Sequence, residues 1–401
     1  MMDGWMDGFL SRLGRQIADR WHTPRQPRTP RAYRCLCGAA VFFRNSGCLS
    51  CGRALGFDPA GRMLLALEPD REDASLWLEA RPASALHLRA ARRWRRCANA
   101  VSAAGCNWLV PDEERTGSGE RPAFCIACRL NRIIPDQTFE ANQRDWGRIE
   151  LAKRRLVSQL LALGLPVQSR LAGAGGEDGA RGLAFDFLHP VDGQPVMTGH
   201  AGGIVTLNVD EADDPVREQI RARLREPYRT LLGHLRHEVG HYYWDRLVAG
   251  SDWIGPFRTV FGDERADYGA ALERHYRLGP APDWAQWHVS AYAASHPWED
   301  WAETWAHYLH MVDALDTGLS FGLDADDVEV DVAMFGAEVL ETPDPEFLRL
   351  VNAWVELTAL LNEMSRSMGV PDFYPFVLVP AVVRKLHLVH RIVTRPAAAP
   401  H

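Results

Sequence analysis

A chain of 401 residues with 46% hydrophobic content is long enough for two or three domains with sizeable cores. Its formal charge of -7 excludes an overall pull toward nucleic acid, and no eighteen-residue apolar run is present, so no membrane-spanning helix is expected. The basic residues are almost all arginine, with lysine only at Lys153 and Lys385, which a GC-rich genome explains better than function does.

In chain order, residues 1–22 read as an amphipathic helix, with Trp5, Phe9, Leu13 and Ile17 at four-residue spacing. Asp3 and Asp7 argue against a signal peptide. A Pro/Arg linker from Thr23 to Arg34 is expected to be mobile. The eight cysteines all lie before residue 130 and form two local quartets. The first is Cys35-x-Cys37 with Cys48-x-x-Cys51-Gly52; the second is Cys97 and Cys106 with Cys125-x-x-Cys128. Four thiolates supplied as close pairs are what a tetrahedral zinc site needs. Without a signal peptide a reducing cytoplasmic location is expected, which favours two structural zinc ions over disulfides. Residues 1–30 thus read as an extension and linker, and residues 31–140 as a double zinc-ribbon domain of short strands and turns. Arg92, Arg93, Arg95 and Arg96 cluster beside the second ribbon. A solvated face is the expectation there; the alternatives are an acidic protein partner at the ribbons or, less favoured, nucleic acid, either of which would make this a ribbon-based binding protein with a catalytically silent second domain.

Residues 141–395 read as a second domain, mainly helical with a small sheet, and residues 396–401 as a disordered tail. A helix is expected from Trp146 to Leu163, with strands at Leu183–Leu188 and Gly203–Val209. After Asp213 the pattern is helical through Phe257–His275, Trp298–Ala314 and Pro345–Ser367. The class is therefore α+β.

The segment His237-Glu238-Val239-Gly240-His241 carries the chemistry. On a helix, residues four apart share a face, so two imidazoles can grip one metal ion while Glu238 sits beside it, placed to take a proton from a bound water. Leu231, Leu232, Leu235 and Val239 follow helical spacing, and Pro227 suits a first turn. His234, His307 and His310 read as packed or structural histidines. An open zinc site wants a third protein ligand. Trp244 and Leu247 exclude the longer motif with a third histidine there, which leaves a glutamate, Glu264 or Glu299. Glu264 and Asp267 read alternatively as a structural pair bonding this helix or Arg265. Glu299 and Glu303 share one helical face behind Pro297, so the first can bind zinc while the second accepts the remaining N–H of a ligand histidine.

The run Glu299-Asp300-Trp301-Ala302-Glu303 resembles the E-x-x-A-E segment of anthrax-lethal-factor-like, gluzincin-type peptidases. That resemblance implies Glu299 as zinc ligand, Glu303 behind the site, and Tyr292, seven residues before Glu299, facing the reacting carbonyl. It also implies that the strand Ile204–Val209 forms the edge above the metal. The 57 residues between His241 and Glu299 are a longer interval than that pattern has. With Cys35-Leu36-Cys37-Gly38, Cys48-Leu49-Ser50-Cys51-Gly52, Cys106-Asn107-Trp108 and Cys125-Ile126-Ala127-Cys128, the chain is similar, from residue 30 on, to bacterial zinc-binding metallopeptidases with an N-terminal double zinc ribbon. The resemblance implies a zincin-like fold, one catalytic and two structural zinc ions, and hydrolysis of a peptide or protein substrate with Glu238 as general base.

Overall fold

The computed structural model describes residues 27–81, 92–171, 181–190, 196–224, 226–323 and 334–394. The expected helix at 1–22 and the tail at 396–401 lie outside the described residues. The architecture is α+β. Near the N-terminus β1 (Tyr33–Arg34) pairs antiparallel with β2 (Ala40–Val41). An antiparallel five-stranded meander follows, formed by β3 (Ala54–Asp58), β4 (Met63–Pro69), β5 (Trp77–Glu79), β6 (Arg93–Arg96) and β7 (Leu109–Pro111) in sequence order. Phe43, Phe57 and Trp108 seal this region, with Phe57 4.9 Å from each of the other two rings. Large rings supply much apolar area in a region otherwise made of short strands.

The strand β8 (Asn131–Ile133) leaves the ribbons and joins a second sheet, β10-β11-β9-β8, with β9 (Ala184–Leu188), β10 (Gly199–Ala201) and β11 (Ile204–Asn208). β8, β9 and β11 run parallel, and β10 turns back antiparallel on β11. The sequence Ala184-Phe185-Asp186-Phe187 is buried throughout, as an inner parallel strand must be. One correction concerns β11, expected as the sheet edge. It lies inside, and the edge is β10, because the tight turn at Gly202 and Gly203 folds one more strand onto it.

Helix α1 (Glu140–Ala162) starts before the expected Trp146, and Trp146, Ile149, Leu156, Val157 and Leu160 on its apolar stripe are buried. The remaining helices are α2 (Asp214–Leu224), α3 (Leu231–Leu247), α4 (Ile254–Phe261), α5 (Tyr268–Leu278), α6 (Pro297–Ser320), α7 (Pro345–Ser367) and α8 (Pro380–Thr394). The helix expected over Phe257–His275 is two helices, since Gly262 ends α4 in the left-handed region and Asp267 starts α5 by accepting from the Ala270 N–H. Helix α8 was not anticipated. None of the helices of the described residues is long and apolar enough to cross a membrane.

One large buried core runs from Tyr33 to Val393 through ribbons and helices alike, and a small second cluster of Leu65, Leu67, Trp94 and Leu109 lies within the meander. The second half of the linker is part of it, contrary to the expected mobility. Thr29 and Arg31 are buried, and Asp316 of α6 accepts the backbone N–H groups of Arg28 and Thr29. Arg31 Nε and Nη2 donate to Asp313 Oδ1 at 3.0 and 2.7 Å. Arg155 of α1 and Arg236 of α3 each donate to Asp313 Oδ2 at 2.8 Å. One carboxylate therefore ties the ribbon entrance, α1 and α3 to α6. The basic cluster at Arg92–Arg96 is largely neutralised. Arg93 pairs with Asp70 and Glu72, Arg92 faces Asp58 and Glu113, Arg95 lies by Asp112, and Arg96 stacks over Trp77.

Burial opposes the charge of Asp313, but Arg31, Arg236 and Arg155 outweigh it and hold the carboxyl well below the usual range. Removing one member of a buried ion cluster leaves the others uncompensated, so Asp313→Asn should cost about 3–5 kcal/mol at pH 7. A depressed carboxyl stabilises the fold above its unfolded pKa, and that stability is lost as pH falls toward the folded value. The deficit of the variant against the parent should therefore begin to shrink below about pH 4. Urea unfolding at pH 7 and pH 3 measures both; a loss under about 1 kcal/mol at pH 7 would show that the cluster does not hold the fold.

Candidate metal centre and active site

Helix α3 begins where the Thr230 hydroxyl accepts the Gly233 N–H at 3.0 Å, after Pro227 rather than upon it. Helix α6 begins with Pro297 in its first turn and His296 Nδ1 accepting from the Trp298 N–H at 3.1 Å. This places Glu299 in the first turn of α6, where the helix dipole favours a carboxylate. The two helices touch at Gly240. A Cβ there would lie 3.0 Å from Ala302 Cα and 3.2 Å from the Trp305 ring, and Trp301 Nε1 donates to the Gly240 carbonyl at 2.8 Å.

That approach brings His237, His241 and Glu299 together, with one ligand atom of each within 4.8 Å of the others. Glu299 Oε2 is 3.0 Å from His237 Nε2 and 3.6 Å from His241 Nε2. Nitrogen and oxygen ligands about 2.1 Å from a tetrahedral ion stand roughly 3.4 Å apart, so the donor set fits zinc. His237 Nδ1 donates to Glu303 Oε1 at 2.8 Å, and Glu303 Oε2 accepts from the Ser290 hydroxyl at 2.6 Å. A carboxylate only accepts, so Nδ1 keeps the proton and the Nε2 lone pair is directed to the metal position. Burial disfavours charge on His237, but its bonds to Glu299 and Glu303 outweigh this and hold its pKa well above the usual range, so a metal ion would have to displace the Nε2 proton to take up that lone pair. Burial likewise opposes ionisation of Glu303, yet the bond to His237 brings its pKa down to about 2. Glu238 is buried, and its Oε2 has no hydrogen-bond partner among the described residues. A buried unpartnered carboxylate oxygen is costly unless a reactant uses it.

Tyr292 packs with its ring centroid 5.9 Å from that of His237. Burial, with the charges of Glu299 and Glu238, raises its pKa well above the usual range, so its hydroxyl keeps its proton and can donate. Glu264 is elsewhere. It forms an ion pair with Arg258 of α4, Asp263 pairs with Arg265, and Asp267 caps α5, so Glu264 and Asp267 bond neither α3 nor Arg265 as the sequence suggested. His234 Nδ1 lies 2.6 Å from Glu211 Oε2, His310 bonds Arg236, and His307 bonds Tyr374, all as supporting contacts.

Four neighbours escaped the sequence reading. Tyr268 donates to Glu299 Oε1 at 2.7 Å, Trp298 lies on His241 with centroids 4.0 Å apart, and His200 of the edge strand stacks 6.3 Å from His241. Ser290, close to Tyr292 in sequence, is a fourth. Trp298 adjoins Glu299 in its motif, but nothing in the sequence aims its ring at His241, and the distances of the other three along the chain leave no periodic signal.

Both cysteine quartets assemble. Sulfur separations of 3.6 Å for Cys35–Cys51, 3.7 Å for Cys37–Cys48 and 3.7 Å for Cys106–Cys125 exceed any disulfide and match the roughly 3.8 Å edge of a tetrahedron with 2.3 Å metal–sulfur bonds. Gly52, at φ 72°, makes the turn that brings its N–H back to the Cys48 carbonyl. The second quartet is wholly buried, and Cys128 Sγ lies 3.8 Å from Glu150 Oε2, whose other oxygen is held by Lys153 at 2.6 Å.

Residues 142–392 match the profile of a family described as "Putative zinc-binding metallo-peptidase", and residues 32–139 match a zinc-ribbon domain. Proteins of Mycobacterium bovis and of two Mycobacterium tuberculosis strains, each named only as uncharacterized, are 42% identical to this chain over 362 residues, covering 90% of this chain and 94% of theirs. No solved structure matches it.

The helix contact at Gly240 is testable against a free glycine. Gly269 in the first turn of α5 meets only an ordinary contact where a Cβ would stand, 3.6 Å from Asp267 Oδ1, so Gly269→Ala should stabilise the fold by up to about 1 kcal/mol through helix propensity. Gly240→Ala gains the same propensity but meets the α6 backbone, with overpacking of about 1–3 kcal/mol. Thermal unfolding should rank Gly240→Ala below Gly269→Ala by at least about 1 kcal/mol; equal stabilities would mean that the helices have room to part.

Proposed function

The chain belongs to the family of zinc-binding metallo-peptidases, and from that premise we propose that it hydrolyses peptide bonds at a zinc ion held by His237, His241 and Glu299. The convergence of these three donors beside the unpartnered carboxylate oxygen of Glu238 carries the reading. Zinc, when bound, supplies Lewis acidity and lowers the pKa of a coordinated water toward about 7. Glu238 accepts the proton from the attacking water and hands it to the leaving nitrogen, since a single carboxylate can serve as base and then as acid. Glu303 fixes the His237 ring and its tautomer. Tyr292 donates to the carbonyl oxygen as negative charge develops there, the step at which a donor in a water-poor site contributes most. An extended substrate lies along the edge strand β10, which packs on α3 and carries His200. In this reading residues 31–140 are a ribbon unit whose quartets each hold a structural zinc, and residues 141–395 are the catalytic unit. Cysteines that hold metal suit a reducing, cytoplasmic setting.

The intact protein should contain three zinc ions per chain. Glu299→Ala should contain two, with both ribbons still loaded. Glu264→Ala should retain three and lose only the stability of its half-buried pair with Arg258. Elemental analysis decides the assignment, and the reverse pattern would transfer the third ligand to Glu264.

Glu238→Gln should keep fold and metal but lose hydrolysis by more than about a hundredfold, because the water then lacks its base. A peptide-library screen supplies the cleavable sequence, and kcat/KM of the variant on it is the measurement. Activity within tenfold of the parent would remove Glu238 from the mechanism.

A further inference from the structure

We infer that Tyr268 is a positioning residue of this centre: its hydroxyl holds one oxygen of Glu299 so that only the other is offered to the metal ion. The inference rests on the reading of His237, His241 and Glu299 as zinc ligands. Tyr268 Oη donates to Glu299 Oε1 at 2.7 Å, while Oε2 faces His237 Nε2 and His241 Nε2 at 3.0 and 3.6 Å. The two oxygens of one carboxylate are thus divided between two tasks. A carboxylate free to turn can bind a cation through both oxygens. A second oxygen on zinc would take up the position that an open catalytic site keeps for water or substrate.

Tyr268 is built to hold this contact. It is the first residue of α5, and Asp267 before it accepts the Ala270 N–H at 3.0 Å, which fixes the start of the helix. The preceding loop is tied to the head of α6, where His296 Nε2 donates to the Ala266 carbonyl at 3.1 Å. The tyrosine ring meets His296 edge-on at 5.3 Å and Trp298 edge-on at 5.8 Å. Those two residues precede Glu299 in the turn that carries it. The ring, its hydroxyl and its acceptor are therefore held by one short segment of α6, and Phe in place of Tyr keeps the ring packing while deleting the one bond at issue.

Zinc affinity is measured on the full chain by competition with a chromophoric chelator strong enough to empty the open site and too weak to empty the ribbons. Partners that orient a metal ligand typically contribute 10–100-fold to affinity, so Tyr268→Phe should bind zinc roughly 10–100-fold more weakly at this site. Refilling the emptied site with cobalt(II), with spectrally silent zinc left in the ribbons, should give weaker visible absorption in Tyr268→Phe than in the parent, as the freed Oε1 raises the coordination number. An affinity within twofold of the parent, or an unchanged cobalt spectrum, overturns the role of Tyr268. Glu299→Ala, measured alongside, separates this from the underlying reading: zinc retained there overturns both, whereas zinc lost there with Tyr268→Phe at parental affinity overturns the positioning role alone.

Discussion

The candidate centre depends on how closely α3 and α6 approach. Ligands on two different helices can share one ion only if the backbones nearly touch, and the two helices meet where a glycine faces an alanine, Gly240 against Ala302. The indole of Trp301 bonds the Gly240 carbonyl across the contact, and Tyr243 stacks on Trp305 at 5.0 Å behind it. These buried aromatic rings contribute roughly 1.5–3 kcal/mol each through burial alone. The same packing sets the rotation of both helices. His237 and His241 therefore meet Glu299 one turn before Glu303 reaches back to His237. Any side chain at Gly240, or one larger than alanine at Ala302, would push the two helices and their donors apart.

The ribbons are built into this arrangement. Asp313, farther along α6 from Glu299, takes guanidinium groups from the ribbon entrance, from α1 and from the residue preceding His237. Strand β8, directly after the last cysteine turn, pairs with β9. Glu150 of α1 lies against Cys128 and is balanced by the fully buried Lys153. Buried charges of this kind are stable only when every partner is in place. The cysteine-bearing half and the helical half thus share a sheet, a core and two ionic clusters, and the position of α3 is set from both.

Much of the candidate site was legible because its signals are local. Cysteine pairs, the histidines four apart, and Glu299 with Glu303 are spacings that a helix or a knuckle converts directly into geometry. The α+β class and the existence of most helices followed from periodicity in the same way. Less was legible where an interaction spans the chain. The choice between Glu264 and Glu299 could not be made from spacing, since each is an acid on a plausible helix; in the structure the nearby arginine of α4, Arg258, engages Glu264. Tyr268 and Ser290 are ordinary residues until folding sets their hydroxyls on Glu299 and Glu303.

Sequence alone determined the donor types, their local order and the elements that carry them, because α-helical and knuckle geometry fix which neighbours face one way. Tertiary structure decided which donors meet. It also made β10 rather than β11 the sheet edge, since the pairing of a short strand depends on a turn and a neighbour rather than on its own composition. It turned a Pro/Arg linker into buried structure, because Arg31 is stable there only with Asp313, which lies 282 residues further along the chain. Such contacts carry no periodicity, and their energy exists only once the core has excluded water around them.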